Sequence, residues 1–107
     1  PQSAKVYAAL AAVLGERKEY QQAMGYIERS IELDPNYAAS RVTRAMLYIN
    51  NGIMDKWEAD LSTAIELDPG ITNCVDFQLI RDNAGKKLQE QNKGVQAIGD
   101  KSPQPDP

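Results

Sequence analysis

The sequence predicts an all-α protein, and three observations support this prediction. The pentapeptide Ile-Glu-Leu-Asp-Pro occurs at 31–35 and again at 65–69, so the two copies are 34 residues apart. A fixed period of this length is typical of proteins built from stacked helical hairpins. Apolar residues recur at three- and four-residue spacing in both units, and no segment shows sustained strand alternation. We therefore expect repeated hairpins without a sheet.

The first predicted unit contains two helices joined by a short turn. Its opening segment is rich in Ala and Leu, which favour helices, and we expect a helix over about 4–15 that stops at Gly15. A second helix is predicted over about 19–33. It ends at Asp34 because the residue before a proline is disfavoured in helical conformation. The apolar residues that recur along these helices are Val6, Leu10, Val13 and Leu14, then Tyr20, Ala23, Met24, Ile27 and Ile31.

The second predicted unit repeats this plan. A helix over about 37–50 should end at the turn signal Asn51-Gly52. A further helix is expected over about 55–67, with Asp55 as its N-cap and Glu58 completing a capping box. The apolar positions of the first of these helices are Val42, Ala45, Met46 and Ile49.

The C-terminal third allows two interpretations. The favoured one is a single amphipathic helix over about 72–91, capped by Thr72, that covers the last hairpin. The other breaks the helix at Gly85 and forms a degenerate third repeat, which two further glycines disfavour. A Pro/Gly-containing tail follows, and its end, residues 101–107, is expected to be extended or disordered. The predicted units are therefore 1–34, 35–69, 70–91 and 92–107.

The two hairpins resemble tetratricopeptide repeats, which are helix–turn–helix units of 34 residues with characteristic aromatic, small and proline positions. The resemblance implies two repeats stacked as a short right-handed solenoid, followed by a capping helix. It also implies a non-catalytic role in binding other proteins. The matching residues are Tyr7, Leu10, Ala11, Leu14, Tyr20, Ala23, Ile27, Ser30 and Pro35 in the first unit, and Arg41, Arg44, Ala45, Tyr48, Gly52, Met54, Trp57, Leu61, Ala64 and Pro69 in the second.

Two residues depart from the usual pattern of that family. Arg44 stands where Leu is common, and repeats with Arg at this position carry Asp on the facing helix, which in this sequence corresponds to Asp60. The resemblance therefore implies a partly buried structural pair of Arg44 with Asp60, the alternative being two solvated charges. Trp57 stands where the family has Ala. It is expected either to pack against the third helical segment or to face a partner.

Composition excludes several classes of function. The chain has 12 Lys and Arg against 15 Asp and Glu, a net charge of −3, so no basic face attracts nucleic acid. It has no His, no metal-ligand spacing and no phosphate loop, so we expect no catalytic residue, no metal and no cofactor. No apolar run is long enough for membrane insertion. The single Cys74 excludes an internal disulfide and slightly favours the cytoplasm.

The resemblance implies that the first helix of each unit lines a concave groove. Val42, Met46 and Ile49 lie on the opposite side of their helix from Ala45 and Tyr48, so this helix has two apolar sides to bury. We therefore expect the groove to bind an apolar or amphipathic protein segment. The alternative is a homo-oligomer in which the groove packs on another copy or on further repeats. The predicted groove residues are Lys5, Ala8, Ala12, Ala39, Val42, Met46, Ile49 and Asn50.

That set of residues argues against one specific kind of partner. Repeats of this family that clamp the C-terminal carboxylate of heat-shock chaperones use Lys, Asn and Arg in the groove. Ala8, Ala12 and Thr43 stand where such a clamp needs Lys or Asn. A carboxylate clamp of that kind is therefore not expected.

Overall fold

The computed structural model describes the backbone of residues 3–101 and the side chains of residues 3–93. Within this part of the chain there is no strand, and the all-α prediction is confirmed. A five-residue 3₁₀ helix, Pro69–Asn73, lies between the last two α-helices. The α-helices are α1 (Ala4–Glu16), α2 (Tyr20–Leu33), α3 (Ala38–Asn50), α4 (Trp57–Leu67) and α5 (Phe77–Lys101).

The repeated pentapeptide ends α2 and α4 in the same way. Asp34 follows α2 with φ −148° and ψ 91°, and Asp68 follows α4 with φ −147° and ψ 90°. Both residues are extended because a proline follows each of them. The two copies of the pentapeptide therefore give the two hairpins, α1–α2 and α3–α4, the same boundary.

The hairpins have separate cores that are joined at α3. Leu47 of α3 packs with residues of α1 and α2 in the first core, whereas the opposite side of α3 belongs to the second. Hydrogen bonds of Ser30 also connect the helices here. Its Oγ donates to the carbonyl oxygen of Ala4 in α1 at 2.6 Å, and it lies 2.7 Å from the Oγ of Ser40 in α3. The first core contains Ala8, Ala11, Ala23, Ile27 and Leu47, and the second contains Ala38, Val42, Ala45, Ile49, Leu61, Ala64, Ile71, Phe77, Ile80 and Ala84.

The buried face of α1 is the face of its small residues. Ala8, Ala11 and Gly15 point into the fold, whereas three larger apolar residues of the predicted stripe are exposed. The helical spacing of these three residues therefore does not mark the buried face of α1. The reason is that α1 is apolar around most of its circumference, and only small residues allow its backbone to approach α3 closely. The exposed residues are Val6 (57%), Leu10 (42%) and Val13 (53%).

Two helical glycines provide a matched test of this close approach. A Cβ added at Gly15 would lie 2.5 Å from Cδ2 of the buried Leu47, whereas one added at Gly25 would meet nothing within 4 Å. We expect Gly25→Ala to raise the free energy of unfolding by about 0.5–1 kcal/mol, because Ala favours the helix. Gly15→Ala should instead lower it by about 1 kcal/mol through overpacking. Urea denaturation measures the free energy of unfolding of both variants. An equal increase for Gly15→Ala and Gly25→Ala would contradict the close packing of α1 on Leu47.

The starts of α4 and α5 differ from the predictions. The capping box at Asp55 is wrong, because α4 begins at Trp57 and its N-cap residue, Lys56, makes no side-chain capping bond. Thr72 does not cap α5 either, since it lies in the 3₁₀ helix. The start of α5 is capped instead by the side chain of Asp76, whose Oδ1 accepts from the backbone N–H of Leu79 at 3.0 Å. Cys74 falls within the helix predicted over about 72–91, but it is exposed in the connection between the 3₁₀ helix and α5.

α5 is longer than the predicted capping helix. It is continuous through Gly85, so the interpretation that broke the helix there is wrong. It also continues ten residues beyond the predicted end near residue 91, as far as Lys101, and residues 102–107 of the predicted extended end lie outside the described residues. Gln91 Nε2 donates to the carbonyl oxygen of Gly52 at 2.9 Å, which attaches α5 to the turn between α3 and α4. Gly52 itself has φ 79°, a conformation that favours glycine.

Candidate protein-binding surface

The structure divides the predicted groove residues into a buried group and an accessible group. Val42 and Ile49 are only 5% and 2% exposed, and Ala8 is also buried. They belong to the hydrophobic cores, so their prediction as open groove residues is corrected. Ala39 is half-buried. The accessible members of the set are Lys5, Ala12, Met46 and Asn50.

α5 contributes to the burial of Val42 and Ile49, together with α4 and the 3₁₀ helix. Both residues share a core cluster with Phe77 and Ile80 of α5. Between α3 and α5 the remaining gap has a volume of about 40 Å³, which is close to the space that one water molecule occupies. A peptide side chain therefore cannot reach the buried residues between α3 and α5, which we call the floor of the seam between these helices, while α5 is in place.

An accessible surface remains above the sealed floor. Met46 and Asn50 of α3 line the gap together with Asn83 of α5, and all three side chains are exposed. Leu79 lies one helical turn before Asn83, on the same face of α5. Met46 is 45% exposed and Leu79 is 53% exposed. We call Met46, Asn50, Leu79 and Asn83 the seam surface. Sequence reasoning missed its two α5 residues, since nothing local shows that α5 packs beside α3.

The seam surface combines two kinds of chemistry. Met46 and Leu79 offer flexible apolar side chains, and a thioether adapts to irregular apolar partners. The amide groups of Asn50 and Asn83 each carry two N–H donors and one oxygen acceptor. Amides of this kind can pair with the N–H and C=O groups of an extended peptide backbone. The arrangement therefore suits binding, and it contains no nucleophile with an adjacent base.

Arg44 and Asp60 lie against each other inside the second hairpin. Arg44 Nε donates to Asp60 Oδ2 at 2.9 Å, and Arg44 Nη2 donates to Asp60 Oδ1 at 2.8 Å. The side chains are 21% and 6% exposed, respectively. Hydrogen bonding to Asp60 raises the pKa of the Arg44 guanidinium above its ordinary value and outweighs the opposing effect of burial. The pair links α3, which carries Met46, to α4.

Trp57 packs within the molecule. It is half-buried against the second core, and it lines a cavity of about 220 Å³ together with Leu88 and Ala84 of α5. Of the two interpretations of this residue, the structure shows packing against the third helical segment. The indole therefore helps to position α5 beside the second hairpin.

A further cavity lies away from the predicted groove. Its volume is about 900 Å³, and it opens between α2 and the turn that follows α3. The lining mixes charges of both signs, with Lys18 and Lys56 near Glu19 and Glu28. Lys56 Nζ also lies 5.9 Å from the ring centre of Tyr48. Nothing in the sequence pattern pointed to this cavity, because its residues come from separate turns and helices.

Two other kinds of site are absent from the described residues. This part of the chain contains no group of three or more His, Cys, Asp or Glu side chains that could hold a metal ion. It also contains no helix that is both long enough and apolar enough to cross a bilayer.

Comparison with protein families gives a match to both hairpins. The sequence model of the family described as "Tetratricopeptide repeat" matches residues 4–37 and 38–71, which together make up more than half of the chain. Each matched segment begins at the first residue of a hairpin, Ala4 or Ala38. Neither the curated proteins nor the solved structures give a significant match.

Proposed function

Because the chain belongs to the tetratricopeptide repeat family, whose repeats generally mediate protein–protein interactions, we propose that it is a non-catalytic interaction module that binds an apolar or amphipathic peptide segment. The proposed site is the seam surface with the accessible groove residues of α1, Lys5 and Ala12. The site does not include Val42 and Ile49, because both are buried in the second core.

The observation that carries this proposal is the exposure of Met46 and Leu79 on two neighbouring helices. Each side chain leaves about half of its surface in water, although the residues beneath them are sealed. A peptide laid along the seam would bury these two side chains under one apolar residue of its own. Its backbone would pair with the amides of Asn50 and Asn83. Because the floor is closed, the peptide binds on the surface of the seam, and we expect modest affinity.

Met46→Glu tests this site. We expect it to weaken peptide binding at least tenfold, because a carboxylate would have to lose its hydration to accept an apolar residue. The probe is a set of peptides selected on the wild-type protein from a random display library, and fluorescence polarisation measures their binding. Far-UV circular dichroism should show unchanged helicity. Capture of proteins from the source lysate by the wild type and by Met46→Glu, side by side, extends the same comparison.

The matched control is Leu33→Glu, since Leu33 is 38% exposed at the end of α2, away from the seam surface. It should leave binding of the selected peptides unchanged. If the peptides bind Met46→Glu as tightly as the wild type, the site lies elsewhere. If no peptide can be selected but Met46→Glu changes the sedimentation of the protein, the seam packs on another copy instead. That result would favour the self-associating alternative.

A further inference from the structure

The outward side of α1 is an apolar surface that the described part of the chain does not cover. No charged residue occurs between Val6 and Gly15, a run of ten residues. Val6, Leu10 and Val13 recur at helical spacing, so they form one stripe, and Ala9 is exposed beside them. We call these four residues the outward face of α1. A helix that is apolar on nearly all sides is normally buried.

Opposite charges stand at the two ends of this face. Lys5 and Glu16 are both exposed, and neither forms an ion pair within residues 3–93. They are eleven residues apart, which is close to three helical turns, so they lie along the same flank of α1. The face therefore has a cation at its N-terminal end, an anion at its C-terminal end and only apolar side chains between them.

We propose that the outward face of α1 is an interface between two copies of this chain, with the two α1 helices packed antiparallel about a two-fold axis. The charges select this occupant. The two-fold axis reverses the helix direction, so Lys5 meets the partner's Glu16 at one end and the partner's Lys5 meets Glu16 at the other. In the same register Leu10 lies near the axis, and Val6 packs beside the partner's Val13. A parallel arrangement would instead place like charges together.

The opposite end of the molecule argues against head-to-tail stacking of copies. The side of α5 that faces away from the core carries Gln78, Asp82, Lys86 and Gln89, all of them exposed. Gln78 Nε2 already donates to Asp82 Oδ1 at 3.0 Å. Beside this polar face the described part of α5 exposes the apolar residue Leu79, which is too little to cover the α1 face, and head-to-tail contacts would leave one apolar face open at every stage of growth. A symmetric contact covers both copies of the α1 face at once.

The size of the face sets the expected strength of this dimer. α1 has 13 residues and is therefore about 20 Å long. Tyr26, which stacks on Tyr7 with ring centres 5.7 Å apart, extends the contact at one edge. A contact of this extent buries less than the roughly 1,600 Å² of a standard interface. We therefore expect a dimer that dissociates in the micromolar range.

Sedimentation equilibrium of the full chain, from low micromolar to submillimolar concentration, tests the interface. The wild type should pass from monomer to dimer. Leu10→Glu should raise the dissociation constant at least tenfold, because it places two carboxylates together near the axis. Leu33→Glu, an equally simple change at another exposed Leu, should leave the dissociation constant unchanged. Circular dichroism should show that both variants keep their helices.

A charge exchange tests the antiparallel register. Lys5→Glu and Glu16→Lys should each weaken the dimer, and the double variant should restore it, because the exchange returns an opposite charge to each contact. A monomeric wild type at every concentration, a Leu10→Glu variant that dimerises as the wild type does, or a double variant that stays weak would each overturn the proposal. Met46→Glu should dimerise normally. Lys5 belongs to both proposed sites, whereas Leu10→Glu and Met46→Glu each change only one of them, so these two variants separate failure of this proposal from failure of the peptide site.

Discussion

Asp60→Asn is expected to lower the free energy of unfolding by about 3 kcal/mol, because it leaves the half-buried Arg44 guanidinium without its counter-charge. Both nitrogen-to-oxygen contacts of this pair are shorter than 3 Å and lie between α3 and α4. Loss of the carboxylate therefore weakens the contact that holds the second hairpin closed. Urea denaturation followed by circular dichroism measures the change.

The control for this prediction is an exposed ion pair. Arg29 and Glu32 are 3.8 Å apart, with side chains 49% and 68% exposed. Glu32→Gln should change stability by well under 1 kcal/mol, because water screens such pairs. If Asp60→Asn and Glu32→Gln gave equally small changes, the Arg44–Asp60 pair would have no structural role.

Phe77→Ala is expected to lower stability by about 3–5 kcal/mol and to release α5 from the second hairpin. Phe77 is buried in the same cluster as Val42 and Ile49, close to the start of α5. Removing the ring leaves a cavity at the point where α5 first contacts the core. Amide hydrogen exchange should accelerate in α5 before it does so in α1 and α2, whose core is separate.

The same variant should bind more of a hydrophobic dye, because Val42 and Ile49 become accessible. Phe77→Leu is the matched control, since it keeps most of the side-chain volume and should cost less than about 1.5 kcal/mol. Unchanged dye binding and unchanged exchange in α5 would show that the core of the second hairpin is closed without this helix. Such a result would also mean that α5 does not seal the floor of the seam.

Local sequence signals predicted the hairpins well. The helices expected over about 4–15, 19–33 and 37–50 differ by one residue at an end from α1, α2 and α3. Proline and the Asn51-Gly52 turn act on their immediate neighbours, so they mark boundaries without any knowledge of the fold. The start of α4 was predicted less well, because its N-cap, Lys56, makes no side-chain capping bond that a pattern could identify.

The candidate site was predicted only in part. The sequence pointed to Met46 and Asn50, which are exposed, but also to Val42 and Ile49, which are not. It also identified Val6, Leu10 and Val13 as recurring apolar positions of the first helix, and all three are exposed. In both cases the sequence showed which residues are apolar. It did not show which of them other helices cover.

The hairpins, their period and their family follow from local sequence, because turn chemistry and helical spacing depend on residues close together in the chain. The sequence also brought Arg44 and Asp60 to attention, through the resemblance. Which side of α1 is buried, and the packing of α5 on the core that contains Val42 and Ile49, follow instead from contacts between distant segments. The hydrophobic effect is non-directional, so an apolar face favours burial without specifying which part of the chain buries it.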